Sequence, residues 1–483
     1  MTSLSDLFPA GAGKQVSFVA DGSISAAGKP VILNSAGTVT PVSGSSDALG
    51  SAVAFTATTV YPNYINSSYD SNAAKVVVFY KGTSSYLSAA VATVSGTSIS
   101  FGTVVVANST ASEWISSSYD STAQKIVVSW DESGVGKAMV GTVSGTSIGF
   151  GTEVTFKASG AGHTNCVYDA NANRTVIAYK DGGDSNYGKA IVGTVSGTDI
   201  SFGTEVTYDS VFSQYPNQVY DANAQKISIV YQNATLGDGK AVVGTVSGTT
   251  ISFGTIITFT TDDLENHVGA YDSAAQKVVY SFRDLGNSSA GTTVVGTISG
   301  TDISFGTEVV FTSNSVTKVS TCFQVSGGTV AVIYEDSSDS DKGKVIGGTV
   351  SGTSISFGSN TTYNTGGMYG GNFVTYDSGQ AKNVISYGTA AATYQGFGIV
   401  NFVGSTNLTA AALLGISDAA ISDTASGNIT VKGGIAVNGL TSLTPGTDYY
   451  AQTDGTISTV TTSPAVKLGR ALSATSIDLA YQS

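Results

Sequence analysis

The chain has 483 residues, of which only 11% are charged, with 59 Gly and 7 Pro, and it alternates small polar with β-branched residues. Its formal charge of −13 argues against nucleic acid or an anionic membrane as a partner. No run of about 18 apolar residues occurs, so no membrane span is expected, and residues 1–30 lack the basic start and apolar stretch of a secretory signal.

The first segment, 1–47, holds two β-like stretches, Gln15–Gly22 and Gly28–Val39. From there a repeat takes over. The phrase Val-Ser-Gly-Thr-x-Ile-x-Phe-Gly-Thr begins at Val94, Val143, Val195, Val246, Ile298 and Val350. Between its copies lies Tyr-Asp, followed five residues later by a basic residue and a Val/Ile run, at Tyr69, Tyr119, Tyr168, Tyr220, Tyr271 and Tyr376, with a decayed copy at Phe323. Equivalent residues are spaced by 49 to 53 positions. A period near 50 rich in β-branched and aromatic residues predicts propeller blades of about 40–50 residues and four strands each.

One unit shows the four strands: 218–220, 226–231, 240–246 and 250–259, each bounded by Gly, Asn, Asp or Ser. No sustained helical period occurs between residues 50 and 405. The seventh unit stops after its third strand, at Gly396–Val403, and Leu49–Phe55 matches the missing fourth. Sharing one blade between the two ends removes the exposed edges of an open ring. The expected fold is therefore all-β: a seven-bladed β-propeller over 48–405 closed by an N-terminal strand, plus a small β module formed by the terminal segments 1–47 and 406–483.

Such a ring has two faces. The Tyr-Asp and Ser-Gly-Thr turns fall on one, face B, and hardly vary. Asp and the basic residue five positions on (Asp70/Lys75 through Asp377/Lys382) are lost together in the decayed unit, which predicts an exposed ion pair of about 0.2–1 kcal/mol across each hairpin. On the opposite face T, the loops differ in every unit. Five positions before each unit's Tyr come Tyr64, Trp114, His163, Tyr215, Asn266, Lys318 and Gly371, with Tyr369 beside the last. Tyr86, Tyr187 and Tyr394 lie in the loops between second and third strands. Flat aromatic faces beside a few polar groups suit sugar rings or protein side chains. The candidate ligand-binding residues are Tyr64, Trp114, His163, Tyr187, Tyr215, Lys318 and Tyr369.

Other chemistry is weakly represented. The densest acidic loop, 335–342, contains the hard oxygen ligands calcium wants but no EF-hand pattern, and reads as solvated surface. His163 and His267 have no zinc spacing, and Cys166 and Cys322 lie three units apart as small buried residues. No cofactor or metal is expected. Three arginines, Arg174, Arg283 and Arg470, fall in places that cannot converge on a carboxylate as a propeller sialidase requires, and the Ser-x-Asp-x-Gly-x-Thr/Trp box is missing. A non-enzymatic protein is expected, with a glycan depolymerase using two face-T carboxylates as an alternative.

The phrases at 443–459 and 466–476 resemble a C-terminal module of tailed-phage virion proteins of tail-fibre, appendage and head-decoration types. The stretch Gly28-Lys-Pro-Val-Ile-Leu-Asn34 resembles the N-terminal part of similar proteins. The resemblance implies a virion protein assembled in the host cytoplasm, with other virion proteins as partners of the terminal module. Its propeller would then bind a host-surface glycan or protein. A purely structural decoration or linking role is the alternative. A homo-oligomer is compatible with this, although no coiled-coil heptad specifies one.

Overall fold

The β-branched runs become strands and the two recurrent phrases become their turns. The computed structural model describes residues 15–34, 36–42, 48–56, 64–389, 395–402, 408, 412–452, 455–459 and 465–479. The chain divides into two compact units, one of 1–47 with 404–483 and one of 48–403. Among the described residues, the larger unit has three single 3₁₀ turns and no α-helix.

In the larger unit each repeat is an antiparallel sheet of propeller type. Ser213–Asp221 pairs with Lys226–Asn233, which pairs with Gly239–Ser247, and the outer position is shared by Thr250–Phe253 and Ile257–Thr260. The inner strand is longer than the 218–220 read from the sequence, and the fourth strand is two pieces separated at the Phe-Gly-Thr phrase. Five such sheets have five strands, and a sixth has eight. The eight-stranded sheet arises because Val309–Gln324 is outer strand to Ala290–Ser299 and inner strand to Thr329–Asp336. In the last sheet Gly396–Phe402 pairs with both Ala48–Leu49 and Val53–Ala54.

The innermost strands pack in sequence order, and Met368–Asp377 packs in turn against Asn66–Asp70. There the Ser67 and Thr375 hydroxyls are 2.6 Å apart. The hydrophobic core is layered between adjacent sheets: Val76, Val78 and Tyr80 of one sheet meet Val384, Val400 and Phe55 of the last. Second strands are apolar almost throughout because both of their faces are covered. Phe79 is wholly buried, and such a side chain contributes about 1.5–3 kcal/mol.

Two features of the repeat lock neighbouring sheets together. A Cβ on the Gly of each Phe-Gly-Thr phrase would overlap the carbonyl oxygen of the Thr in the next unit's Ser-Gly-Thr turn: Gly102 on Thr146, Gly151 on Thr198, Gly203 on Thr249, Gly254 on Thr301 and Gly306 on Thr353. Gly50 is set against Thr97 in the same way, whereas Gly358 has no described residue closer than 3.9 Å. On face B the Tyr hydroxyl of one unit accepts from a backbone N–H in the turn of the preceding unit, as in Tyr119 to Asn72, Tyr220 to Asn171 and Tyr271 to Asn223. Tyr69 of the first unit accepts from Gly379 N–H of the last at 3.1 Å.

The expected Asp–basic ion pair is corrected. The residues do face each other across the hairpin, as in Asp221↔Lys226. The carboxylates, however, are buried at 1–3% exposure. Asp221 Oδ1 accepts from the N–H groups of Asn223 and Ala224, both at 2.9 Å, and Asp70, Asp120, Asp169 and Asp272 do the same in their turns. A side chain two residues from a turn's free donors reaches them with little entropy cost, so the local bond wins over a solvated ammonium. Arg174 instead donates to the carbonyls of Asn173 and Gly248.

The smaller unit has two five-stranded sheets. In one, Gln15–Val19 and Pro30–Leu33 flank Leu413–Ser417 and Ser426–Val431, so N- and C-terminal segments share hydrogen bonds. The other contains Asp448–Ala451 and Val466–Ser473, with Asp448 held by Lys467 at 3.0 Å and Arg470 at 2.7 Å. Asn34 extends the first sheet's turn by donating to Thr40 Oγ1 at 2.6 Å. No helix among the described residues is long and apolar enough to cross a membrane.

Candidate functional site

Inner strands from the second repeat onward carry a bulge at the end nearest face T. Opposite Asp131 to Ser129, the stretch Glu113 to Ser116 has one residue too many, and the same slip recurs at Gly162/Asn165, Gln214/Asn217, Glu265/Val268 and Thr317/Ser320. The residue five before each unit's Tyr has a left-handed backbone: φ is 57° at Tyr64, just ahead of its strand, and within the bulges 50° at Trp114, 54° at His163, 52° at Tyr215, 49° at Asn266 and 51° at Lys318. The last unit has the permissive pair Gly370 and Gly371 at this place, Gly370 with φ 79°. For a bulky side chain this conformation costs about 1–2 kcal/mol. Bulges of this kind re-aim side chains beside functional sites.

Here they turn six different side chains toward one cavity of about 650 Å³, within the range of about 300–1,000 Å³ typical of ligand sites. Tyr64, Trp114, His163, Tyr215, Lys318 and Tyr369 all line it, together with Glu265, Asn266 and His267. Tyr187 does not; it lies half-buried at the start of Tyr187–Ser196, opposite Asp181. Tyr394 lies outside the described residues.

Four of the rings form one arc. Tyr64 and Trp114 have centroids 4.9 Å apart, Trp114 and His163 4.0 Å, and His163 is stacked on Tyr215 at 4.5 Å with 12° between planes. The Tyr215 N–H donates to His163 Nδ1 at 3.0 Å. That nitrogen must therefore be unprotonated, which leaves the proton on Nε2. Burial, then Lys180, pushes the imidazole down to about 3, so it is neutral. Burial, then Glu113, pushes the Tyr64 phenol up to about 12, and burial also raises Tyr215. Both phenols keep their protons. His267 is buried, its Nε2 3.3 Å from Val230 O, and burial lowers it to about 4.

The other side of the cavity is ionic. Glu265 takes Arg283 Nη1 at 2.9 Å and Glu335 takes Lys318 Nζ at 2.6 Å. At the edge of the arc Lys81 pairs with Glu113 at 2.8 Å and lies 5.6 Å from the Tyr64 ring centre. Below the rim, side chains of one inner strand accept from the backbone of the next: Asn66 from Ser117, Ser116 from Cys166, Asn165 from Gln218 and Asn217 from Gly269. This belt fixes the bulges relative to one another. Cys166 and Cys322 are both free and buried.

Away from the cavity, most face-T acids are matched by lysine. Lys189 meets Asp181, Asp184 and Glu205, and Lys344 meets Asp336 and Asp339 of the dense acidic loop. At the position of Lys137, Lys189, Lys240 and Lys344 the fifth repeat has Thr292. The carboxylates of Asp262, Asp284 and Glu308 lie there within 4.8 Å of one another. Burial is the main cause that raises Asp284 and Glu308, with mutual repulsion added.

No family model and no curated protein sequence matches the chain. Among solved structures it is similar to the β-propeller domain of Cps50 (Swd1) from Myceliophteria thermophila, at 7% identity over 72% of this chain and 99% of that one, with a TM-score of 0.46. It is similar to AofleA from Arthrobotrys oligospora at 13% identity, over 68% and 94%, with a TM-score of 0.42. The NanB sialidase from Streptococcus pneumoniae is 11% identical over 71% and 69%, with a TM-score of 0.41. Scores of this size carry no functional argument. The expectation of a non-enzymatic protein is nevertheless withdrawn: a sialidase stands among these structures, so a propeller of this kind is not marked as either binding or catalytic.

Proposed function

We propose that residues 48–403 form a seven-bladed propeller closed by its N-terminal strands, and that its face-T cavity binds carbohydrate. The arc of Tyr64, Trp114, His163 and Tyr215 carries this reading. Four consecutive repeats hold bulky rings in a left-handed backbone conformation, and all four rings meet at one cavity. Sugar rings stack on such faces, and the Tyr hydroxyls and His163 Nε2–H supply donors at the edges. The cyclic packing of the inner strands and the bonds from the last repeat to Ser67 and Tyr69 support closure.

The phage resemblance of 443–459 and 466–476 supports a finer reading. The protein is a virion component, assembled in the host cytoplasm and joined to other virion proteins through its smaller unit. Its ligand is then a host-surface glycan or glycosylated protein. The test is binding of purified protein to glycan arrays and host cells, beside a variant with Tyr64, Trp114 and Tyr215 changed to Ala. Saturable binding lost in the folded variant supports the reading. Absence of binding by both proteins favours a structural role in the particle, and released oligosaccharide would place catalysis on the same scaffold.

A further inference from the structure

Charges around the cavity narrow the class of sugar, given the carbohydrate reading above. We propose that the ligand is a neutral pyranose, and that carboxylated and sulfated sugars are disfavoured at the aromatic arc. The chain as a whole carries −13, yet the cavity's surroundings balance. Lys81 offsets Glu113, Arg283 offsets Glu265 and Lys318 offsets Glu335, at 2.6 to 2.9 Å. One further cation, Lys180, is not among the residues that line the cavity; it lies over the Phe212 ring at 5.7 Å and acts electrostatically on Asp131 as well as on His163.

A carboxylate on a sugar needs an open guanidinium fork or a bare ammonium. Arg283 offers neither arrangement, since Nη1 is bound to Glu265 and Nη2 to Ser289 Oγ at 3.2 Å. The Lys318 ammonium is occupied by Glu335. The aromatic faces themselves present negative charge density, which attracts the C–H side of a pyranose and repels an anion. His163 adds no positive charge, because its Nδ1 is taken by the Tyr215 N–H. The long-range field of a strongly acidic protein also opposes a polyanionic glycan.

A hydroxyl, by contrast, fits each of these groups. It donates to Glu265 and accepts from Lys318 or His163 Nε2–H without disturbing an ion pair.

The test uses the full chain, titrated with neutral oligosaccharides and with their carboxylated and sulfated counterparts. Neutral sugars are expected to bind, with acidic counterparts weaker by about tenfold or more. Raising salt from about 0.1 to 1 M shortens the screening length from about 10 to 3 Å and should change neutral-sugar affinity by less than about twofold. Tightest binding to an acidic sugar, or neutral-sugar binding that weakens more than about tenfold with salt, overturns the inference while leaving carbohydrate binding intact. Binding to no sugar of either kind overturns the carbohydrate reading and the inference with it. Glu335→Gln, which uncovers Lys318, should strengthen binding of carboxylated sugars by about threefold, the worth of one exposed ion pair. Unchanged acidic-sugar affinity in a folded Glu335→Gln protein counts against the inference.

Discussion

Replacing Trp114 by alanine and, separately, by glycine distinguishes the cost of its backbone from the worth of its ring. Both changes remove three ring contacts, with Tyr64 at 4.9 Å, His163 at 4.0 Å and Tyr215 at 5.7 Å. At about 0.5–1.5 kcal/mol each, these come to about 1.5–4.5 kcal/mol if they add. Alanine still has to adopt φ near 50°, which costs it about 1–2 kcal/mol, and glycine escapes that cost. Glycine in turn gives the unfolded chain about 0.4–1 kcal/mol more freedom than alanine. The glycine protein should therefore be the more stable of the two by up to about 1.6 kcal/mol, and by about 0.8 kcal/mol at the middle of both ranges. Guanidinium denaturation followed by fluorescence reads this directly, because Trp130, the other of the two tryptophans, is wholly buried and present in both variants. Sugar binding should be lost in both. An alanine variant more stable than the glycine variant would show that the backbone at this position does not hold the ring under strain.

Gly203→Ala should destabilise by about 1–3 kcal/mol through overlap with the Thr249 carbonyl, whereas Gly149→Ala, with no described atom within 4 Å of the added Cβ, should leave the thermal midpoint unchanged. Asp221→Ala should cost about 1–3 kcal/mol by freeing two turn N–H groups, and Lys226→Ala, its hairpin partner, less than about 0.5 kcal/mol in the same denaturation assay. His163 and His267 are held below the ordinary histidine value, near 3 and 4. The unfolded chain therefore binds protons first, and the stability they contribute is complete above about pH 6.5 and is lost as pH falls toward 4 for His267 and toward 3 for His163. A His163→Gln, His267→Gln protein should show a shallower fall across that window, and parallel curves would refute the assignment. Asp284 and Glu308 are raised, so the stability they retain when protonated is lost as pH rises through their folded values. Thr292→Lys should accordingly raise the melting temperature more at pH 7 than at pH 4, and an equal effect at both would show that the three carboxylates do not repel one another.

Sequence periodicity exposed the sheets because each Ser-Gly-Thr turn needs a glycine for a steric reason, from Gly96 with its φ of 60° to Gly352 with 64°. The match of Leu49–Phe55 to a fourth strand was visible for the same reason, and those residues do pair with Gly396–Phe402. The positions that line the cavity were also readable, since they keep a constant offset from Tyr while their identity varies. Their left-handed conformation was not: Tyr, Trp, His and Lys are poor markers of positive φ, and only Gly370–Gly371 hinted at it. Glu265 was missed as a cavity group because it meets Arg283 across the first and second strands, at a register that the bulge shifts. Tyr187 was drawn into the site by its residue type alone, and its place at a strand start keeps it out. The Asp–Lys inference failed because joint loss in one repeat records a shared hairpin, not a bond between the two side chains.

The pairing of Leu49 with Asn401 has a consequence for synthesis. A strand made among the first residues of the larger unit has no partner until nearly all of that unit has left the ribosome. Every inner repeat can zip up as it emerges, from contacts close in sequence. The last step is instead a long-range closure, the kind that is slow in folding because chain entropy is spent before any contact rewards it. Until then an early strand with free hydrogen-bonding edges is exposed to other chains, which makes the seam the place where assembly in a crowded cell succeeds or fails.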